Sequence, residues 1–174
     1  MNFITLDSLN LIKMKNIQLE FKWAIIFTVM MLLWMVAENQ LGFHGDRIAL
    51  HNIVTNFVAI PAILIFVFAL REKRKITYNG KATYIQLLVS GAVLSIIITC
   101  LTPMVQYLIN VAIAPEYFIN MKNYVTSTGA MTKEAAEEYF NPLNYMIEAT
   151  IGSFGMGIIT SAIVAIFLKA KATT

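Results

Sequence analysis

Seven polar residues interrupt the apolar parts of this chain and carry groups that can bind a small ligand. They are two carboxylates, one imidazole and four carboxamides: Glu38, Asn39, His51, Asn56, Gln106, Asn110 and Glu148. Ionisable residues inside apolar segments often mark a ligand site or a pathway, so one interpretation is an outward-facing pocket for a cation, a proton or a small polar molecule. The other interpretation, which we favour at this point, is that they are interfacial residues at the ends of apolar segments, where water reaches them.

Two histidines and an aspartate near the start of the chain raise the question of a metal site. His44, Asp46 and His51 carry ligand types that Zn²⁺ uses, but their spacing matches no established metal-binding motif. The single cysteine, Cys100, lies in an apolar run, which excludes a cysteine-based metal cluster. We therefore predict no metal site and no cofactor, and we interpret the two histidines as turn and interface residues.

Patterns typical of catalysis are missing from the sequence. It contains no nucleophile elbow, no glycine loop suited to phosphate and no paired catalytic carboxylates. The glycines and serine of residues 152–155 lie in an apolar run and lack the strand–turn–helix context of such motifs, so we interpret them as packing residues. We predict that the chain is not an enzyme.

The composition indicates which elements position the polar residues. Of the 174 residues, 58% are hydrophobic and only 13% are charged, whereas a soluble domain has about 25% charged residues. The hydrophobic residues collect in four runs, each long enough for the roughly 20 residues that cross a bilayer as a helix. We predict one all-α membrane domain, a four-helix bundle with spans at about 19–41, 48–70, 84–113 and 143–168, preceded by a cytoplasmic tail of residues 1–18.

The segments between the spans carry weaker signals. The polar stretch between the third and fourth spans predicts a short extracytoplasmic helical hairpin, broken near Thr128 and Gly129, with Thr132 as the N-cap of its second helix. Pro61 predicts a kink in the second span. Five basic residues predict a basic loop after that span: Arg71, Lys73, Arg74, Lys75 and Lys81.

Small residues recur every four positions in the third and fourth spans. Such ladders place small side chains on one face of a helix and let two backbones approach closely. We predict that the two spans pack through these faces, which are formed by Gly91, Ser95 and Thr99 in one span and by Ser153, Gly157, Ser161 and Ala165 in the other.

The distribution of lysine and arginine predicts the orientation of the chain. With the amino terminus in the cytoplasm, ten basic residues lie on the cytoplasmic side and only Arg47, Lys122 and Lys133 lie outside, which agrees with the positive-inside rule. Both termini are then cytoplasmic, and the polar cluster lies in the outer part of the bundle. Topology thus accounts for the net charge of +3, and we expect no nucleic acid partner.

Several stretches of the chain resemble a known family. Residues 80–84 (GKATY) open the third span, residues 111–118 (VAIAPEYF) close it, and residues 167–169 (FLK) close the fourth. Together with the four-span layout, this pattern resembles domain-of-unknown-function family 4199 from roughly Ile17 to Lys171. The resemblance implies a four-span protein of the bacterial inner membrane, and it implies no activity and no catalytic residues.

These patterns favour a non-enzymatic membrane module or accessory subunit. The alternative is a component of a small-molecule or ion transporter that uses the outward-facing polar cluster, and a membrane enzyme is the least favoured class. We expect membrane lipids as partners, together with a second copy of the chain or another membrane protein.

Overall fold

The computed structural model describes residues 6–170, with side chains from residue 17 onward, and it is all-helical in this range. Four segments are long and apolar enough to cross a membrane: the first span Ile17–Gln40, the second Ile48–Tyr78, the third Tyr84–Ile113 and the fourth Pro142–Leu168. The predicted fold class is confirmed. Residues 1–5 of the predicted tail lie outside the described residues, and the first helix already begins at Leu6.

The helices follow one another in a simple order along the chain. Helix α1 forms the first span, α2 and α3 with two 3₁₀ segments form the second, α4 with a π-helical segment forms the third, and α7 forms the fourth. Helices α5 and α6 form the predicted hairpin. The bounds are α1 Leu6–Gln40, 3₁₀ Ile48–Leu50, α2 His51–Val54, 3₁₀ Thr55–Val58, α3 Ala59–Tyr78, α4 Tyr84–Leu108, π Ile109–Ile113, α5 Tyr117–Ser127, α6 Lys133–Tyr139 and α7 Pro142–Leu168.

The hairpin ends and breaks where the sequence predicts. The Thr132 hydroxyl accepts a hydrogen bond from the Ala135 amide, which makes Thr132 the N-cap of α6. Gly129, between the two helices, has a φ of 71°, a conformation that glycine adopts readily. We call the end of the bundle that carries this hairpin the hairpin end, and the opposite end the basic end.

The predicted basic loop after the second span is wrong. Helix α3 continues to Tyr78, so residues 71–75 are helical, and Lys73 is buried with 3% of its surface exposed. The chain turns only afterwards, at Asn79 and Gly80, which have φ angles of 49° and 80°. The sequence places the end of the apolar run at Leu70, but the helix extends two turns past it.

The third span is the centre of the bundle and packs most extensively against the fourth. A Cβ atom added to Gly91 would overlap the side chain of Ser161, and one added to Gly157 would overlap that of Ser95, whose Cβ lies 2.8 Å away. The Ser153 hydroxyl lies 3.2 Å from that of Thr99 and donates to it. The predicted packing through small-residue faces is confirmed.

The outer surface of the spans is apolar. Large hydrophobic side chains are more than half exposed on every span, for example Leu33, Ile60, Val89 and Ile151. A surface of this kind is suited to lipid acyl chains, since a soluble protein of this size rarely exposes such an extended apolar area. The lengths of the spans and their apolar exteriors are those of a multi-pass membrane protein.

Candidate functional site

A cavity of about 340 Å³ opens at the hairpin end, where the four spans meet helix α5. Four of the seven predicted polar residues line it: His51, Gln106, Asn110 and Glu148. The remaining lining comes from Met31, Trp34, Met35, His44, Asn52, Thr55, Val58, Ile109, Ala114, Tyr117, Phe118, Tyr145 and Ala149. The spans thus bring residues separated by more than ninety positions in the sequence to one place.

The other three predicted residues have different environments. Glu38 is buried and contacts the two histidines of the cavity wall. The Asn39 side chain donates a hydrogen bond of 2.7 Å to the carbonyl oxygen of Ile113, so it ties the first span to the third. Asn56 is exposed, lines neither of the two cavities and donates to the carbonyl of Asn52 within the second span. Asn39 and Asn56 therefore have structural contacts.

Glu38, His44 and His51 form a compact cluster in the wall of the cavity. His44 Nε2 lies 3.2 Å from Glu38 Oε2 and hydrogen-bonds with it. His51 Nδ1 lies 3.3 Å from the same oxygen, but without the alignment of a hydrogen bond. The other carboxylate oxygen, Oε1, accepts from the indole N–H of Trp34. All three cluster residues are at least nine-tenths buried.

The local backbone explains how His44 reaches Glu38. The first helix ends at Gln40, and Gly42 adopts a φ of 82°, which turns the chain back on itself. The amide of Phe43 then bonds to the carbonyl of Glu38 at 3.0 Å. The Asn120 side chain in α5 donates to the carbonyl of His44 at 2.9 Å, so the hairpin holds this turn in place.

The ring of Tyr117 packs across both histidines. Its centroid lies 5.3 Å from that of His44 and 5.0 Å from that of His51, with edge-to-face geometry. Its hydroxyl pairs with the hydroxyl of Tyr145 at 3.1 Å. Burial raises the pKa of Tyr117 above its ordinary value, so this phenol stays neutral and fixes the histidine rings by packing.

Glu148 combines features of both interpretations made from the sequence. Its side chain is exposed, as an interfacial carboxylate would be, and it also lines the cavity. It is the only carboxylate among the residues described as lining the cavity. Its position suits a role at the entrance, where its charge would influence which molecules enter.

A second, more apolar cavity of about 390 Å³ lies next to the first, further along the spans. Phe27, Ala62, Phe66, Ile98 and Met156 are among its walls. The two cavities share four lining residues: Met31, Val58, Gln106 and Ala149. Among the described side chains, no lysine or arginine lines either cavity.

A further buried polar cluster lies at the basic end, and the sequence analysis missed it. Lys73 Nζ lies 2.7 Å from Glu20 Oε1, and the Ser90 hydroxyl donates to the same oxygen at 2.6 Å. All three residues are at most 4% exposed. The sequence gives no signal for this pair, because Glu20 and Lys73 lie in different spans, more than fifty positions apart.

The fold and its cavities define a four-span helical protein of the membrane class, with a polar pocket at one end. The family model described as "Protein of unknown function (DUF4199)" matches residues 22–170. The chain therefore belongs to domain-of-unknown-function family 4199, as the sequence resemblance implies. Comparison with curated proteins gave no match, and comparison with solved structures gave none either.

Proposed function

We propose that this chain is a non-enzymatic module of the bacterial inner membrane that binds an amphipathic molecule. The observation that supports the proposal is the adjacency of the two cavities, which have Met31, Val58, Gln106 and Ala149 in common. A molecule whose head group occupies the polar cavity would place its hydrocarbon chain in the apolar cavity. Binding sites generally combine an apolar lining with a few polar groups that orient the ligand.

The charge of the lining selects the head group. The polar cavity offers the carboxylate of Glu148 and the neutral amides of Gln106 and Asn110, and the described lining includes no lysine or arginine. A phosphate or carboxylate head would find no lysine or arginine there, whereas an ammonium or hydroxyl head would find acceptors. The proposed ligand is therefore an amphiphile with a cationic or neutral hydrogen-bonding head.

The orientation follows from the distribution of basic residues. Both termini would face the cytoplasm, and the hairpin end with its polar cavity would face outward. The ligand would then enter from the outer leaflet or from the outer surface. A small accessory subunit that senses or holds such a molecule agrees with the absence of catalytic patterns in the sequence.

The two tryptophans of the chain allow a direct test. Trp34 lines the polar cavity, and Trp23 lies three helical turns away in the same span. In a Trp23→Phe variant, Trp34 is the only tryptophan, and a bromine atom on a bound alkyl chain will quench its fluorescence. We expect a brominated dodecylamine to quench Trp34 in lipid nanodiscs at lower concentration than a brominated dodecanoic acid of the same chain length.

A matched pair of variants separates binding from partition into lipid. Ala149→Phe adds a ring where the two cavities join, whereas Ile151→Phe changes a side chain that is 69% exposed on the outer surface. We expect Ala149→Phe to weaken the quenching and Ile151→Phe to leave it unchanged. Equal quenching by amine and acid, or equal behaviour of the two variants, would contradict the proposal.

Two further measurements address the other function classes. A transporter component, the alternative from the sequence, would release a dye or ion gradient in liposomes, and a pure binding module would not. An enzyme would convert the bound amphiphile, which mass spectrometry of the extracted ligand would detect as a change of mass. We expect the extracted ligand to be chemically unchanged.

A further inference from the structure

We propose that Glu38, His44 and His51 form a binding site for a divalent transition metal of the Zn²⁺ type. One ligand atom from each residue lies within 4.8 Å of those of the other two. Two imidazoles and one carboxylate are a common ligand set for zinc. This inference goes beyond the proposed binding of an amphiphile and does not depend on it, and it departs from the interpretation of the two histidines as turn and interface residues.

The distances within the cluster suit tetrahedral coordination. Zinc binds histidine nitrogen at about 2.0–2.1 Å and carboxylate oxygen at about 2.0–2.2 Å, so two ligand atoms of one tetrahedron lie roughly 3.3–3.4 Å apart. Glu38 Oε2 lies 3.2 Å from His44 Nε2 and 3.3 Å from His51 Nδ1. The ligand atoms of the two histidines lie within 4.8 Å of each other, and a side-chain movement that shortens this distance would place one ion between all three atoms.

The polar atoms of the cluster are incompletely satisfied by the protein. His51 Nδ1 and His44 Nδ1 are buried, and neither has a hydrogen-bond partner among the described residues. A buried imidazole nitrogen without a partner costs free energy. A metal ion bound between Glu38 Oε2 and His51 Nδ1 supplies a partner for His51 Nδ1 and neutralises the buried carboxylate.

The surroundings also resemble those of a metal site. Trp34 donates to Glu38 Oε1, which orients the carboxylate and leaves Oε2 directed at the histidines. Such contacts around the ligands typically orient them and tune affinity. Tyr117 holds both rings by packing, while its hydroxyl is engaged with Tyr145. Because both histidines line the polar cavity, a fourth ligand can come from that side. The preference of the cavity for an amine head group is therefore expected of the metal-free protein.

The test uses protein purified with a cleavable tag that contains no histidine, since His44 and His51 are the only two histidines of the chain. We expect the purified full chain to bind one Zn²⁺ per monomer by titration calorimetry. We expect Co²⁺ to give the intense visible absorption of tetrahedral coordination. Glu38→Gln, His44→Gln and His51→Gln should each weaken binding at least about tenfold.

Two conservative variants serve as controls. Asp46→Asn alters the same turn as His44, and Glu116→Gln alters an exposed carboxylate next to Tyr117, but neither residue belongs to the cluster. Both should retain the affinity of the wild type. Binding that survives substitution of all three proposed ligands, or that is lost in Asp46→Asn, would assign the metal to another place.

One measurement remains decisive if the cluster variants fail to fold. Zn²⁺ should raise the thermal unfolding temperature of the metal-free wild type, and Mg²⁺ at equal concentration should not, because a site with two imidazoles favours borderline metals over hard ones. The absence of any shift with Zn²⁺, combined with no bound metal, would overturn the proposal. The cluster would then be a buried His–Glu–His group in which Glu38 hydrogen-bonds with His44 alone.

Discussion

The buried ion pair at the basic end provides a quantitative test of how this bundle is stabilised. Lys73 Nζ lies 2.7 Å from Glu20 Oε1, and both side chains are only 4% exposed. The other carboxylate oxygen of Glu20, Oε2, has no hydrogen-bond partner among the described residues. Lys73→Met keeps the length of the side chain and removes its charge, which leaves the carboxylate buried without this partner.

The magnitude follows from the burial of the pair. Removing one partner of a buried ion pair typically costs about 3–5 kcal/mol, because the remaining charge is uncompensated. We expect Lys73→Met to lower the free energy of unfolding by this amount. The double variant Glu20→Met with Lys73→Met removes both charges, and we expect it to recover to within about 1 kcal/mol of the wild type or better.

The chain offers a control pair at the same end. Lys22 Nζ lies 2.7 Å from Glu72 Oε1, but the two side chains are 48% and 29% exposed. An exposed ion pair contributes at most about 1 kcal/mol because water screens it. Lys22→Met should therefore lower the free energy of unfolding only slightly, although it also removes one charge from a pair that joins the first and second spans.

The assay is reversible unfolding in mixed micelles with a rising fraction of dodecyl sulfate, followed by tryptophan fluorescence and circular dichroism. Extrapolation to zero denaturing detergent gives the free energy of unfolding for each variant. If Lys73→Met is as mild as Lys22→Met, the burial of the pair does not govern its contribution. If the double variant loses as much free energy of unfolding as Lys73→Met and Glu20→Met lose together, the two residues are not coupled, and the reasoning fails.

Three further predictions address packing, the cavity entrance and topology. Gly157→Leu should lower the free energy of unfolding by about 1–3 kcal/mol or more, because any Cβ there overlaps Ser95. Gly155→Leu should be close to neutral, since a Cβ at that position meets nothing within 4 Å among the described residues. Equal melting of the two variants would place the face of Gly157 against lipid. Glu148→Gln should keep the stability of the wild type, because the side chain is exposed, and should reduce the preference of Trp34 quenching for the amine over the acid; an unchanged preference would remove Glu148 from the entrance. Reporter fusions after Lys75 and Lys171 should report cytoplasm and fusions between Lys122 and Glu138 the outside, and an outside signal at Lys75 would reverse the orientation.

The fold was predictable because its signals are local. The backbone polar groups of an apolar run can be satisfied in a bilayer by a helix, so the sequence predicts a third span at about 84–113, and the structure has an apolar helical segment at Tyr84–Ile113. The cap at Thr132 and the break at Gly129 depend on neighbouring backbone groups alone. The end of the second span was misjudged for the opposite reason, because helix α3 continues to Tyr78 through polar residues.

The polar site was predictable in its location but not in its contacts. Depth along the spans brings His51, Gln106 and Glu148 to the same end of the bundle, and all three line the cavity. Which side chains meet depends on rotation of the helices and on the turn at Gly42. His44 lies six residues after Glu38 and His51 thirteen residues after it, spacings that match no motif, yet that turn returns His44 to the carboxylate.

The first span nevertheless carries a periodic signal that links the two buried clusters. Glu20 and Glu38 are eighteen residues apart, which is about five helical turns, so they lie on the same face of the helix. Ala24 and Thr28 follow Glu20 on this face, and all four residues are buried. The rise between the carboxylates is about 27 Å, close to the roughly 30 Å of the hydrocarbon core.

This spacing places one buried carboxylate near each end of the first span, and each acquires its polar partners from other segments at its own end. Lys73 and Ser90 come from the second and third spans at the basic end, whereas the two histidines come from the turn and the second span at the hairpin end. Periodicity in one helix therefore predicts which face of that helix is buried and where its charges lie. It cannot predict the partners, since those depend on how the other spans are rotated and on where the second helix ends.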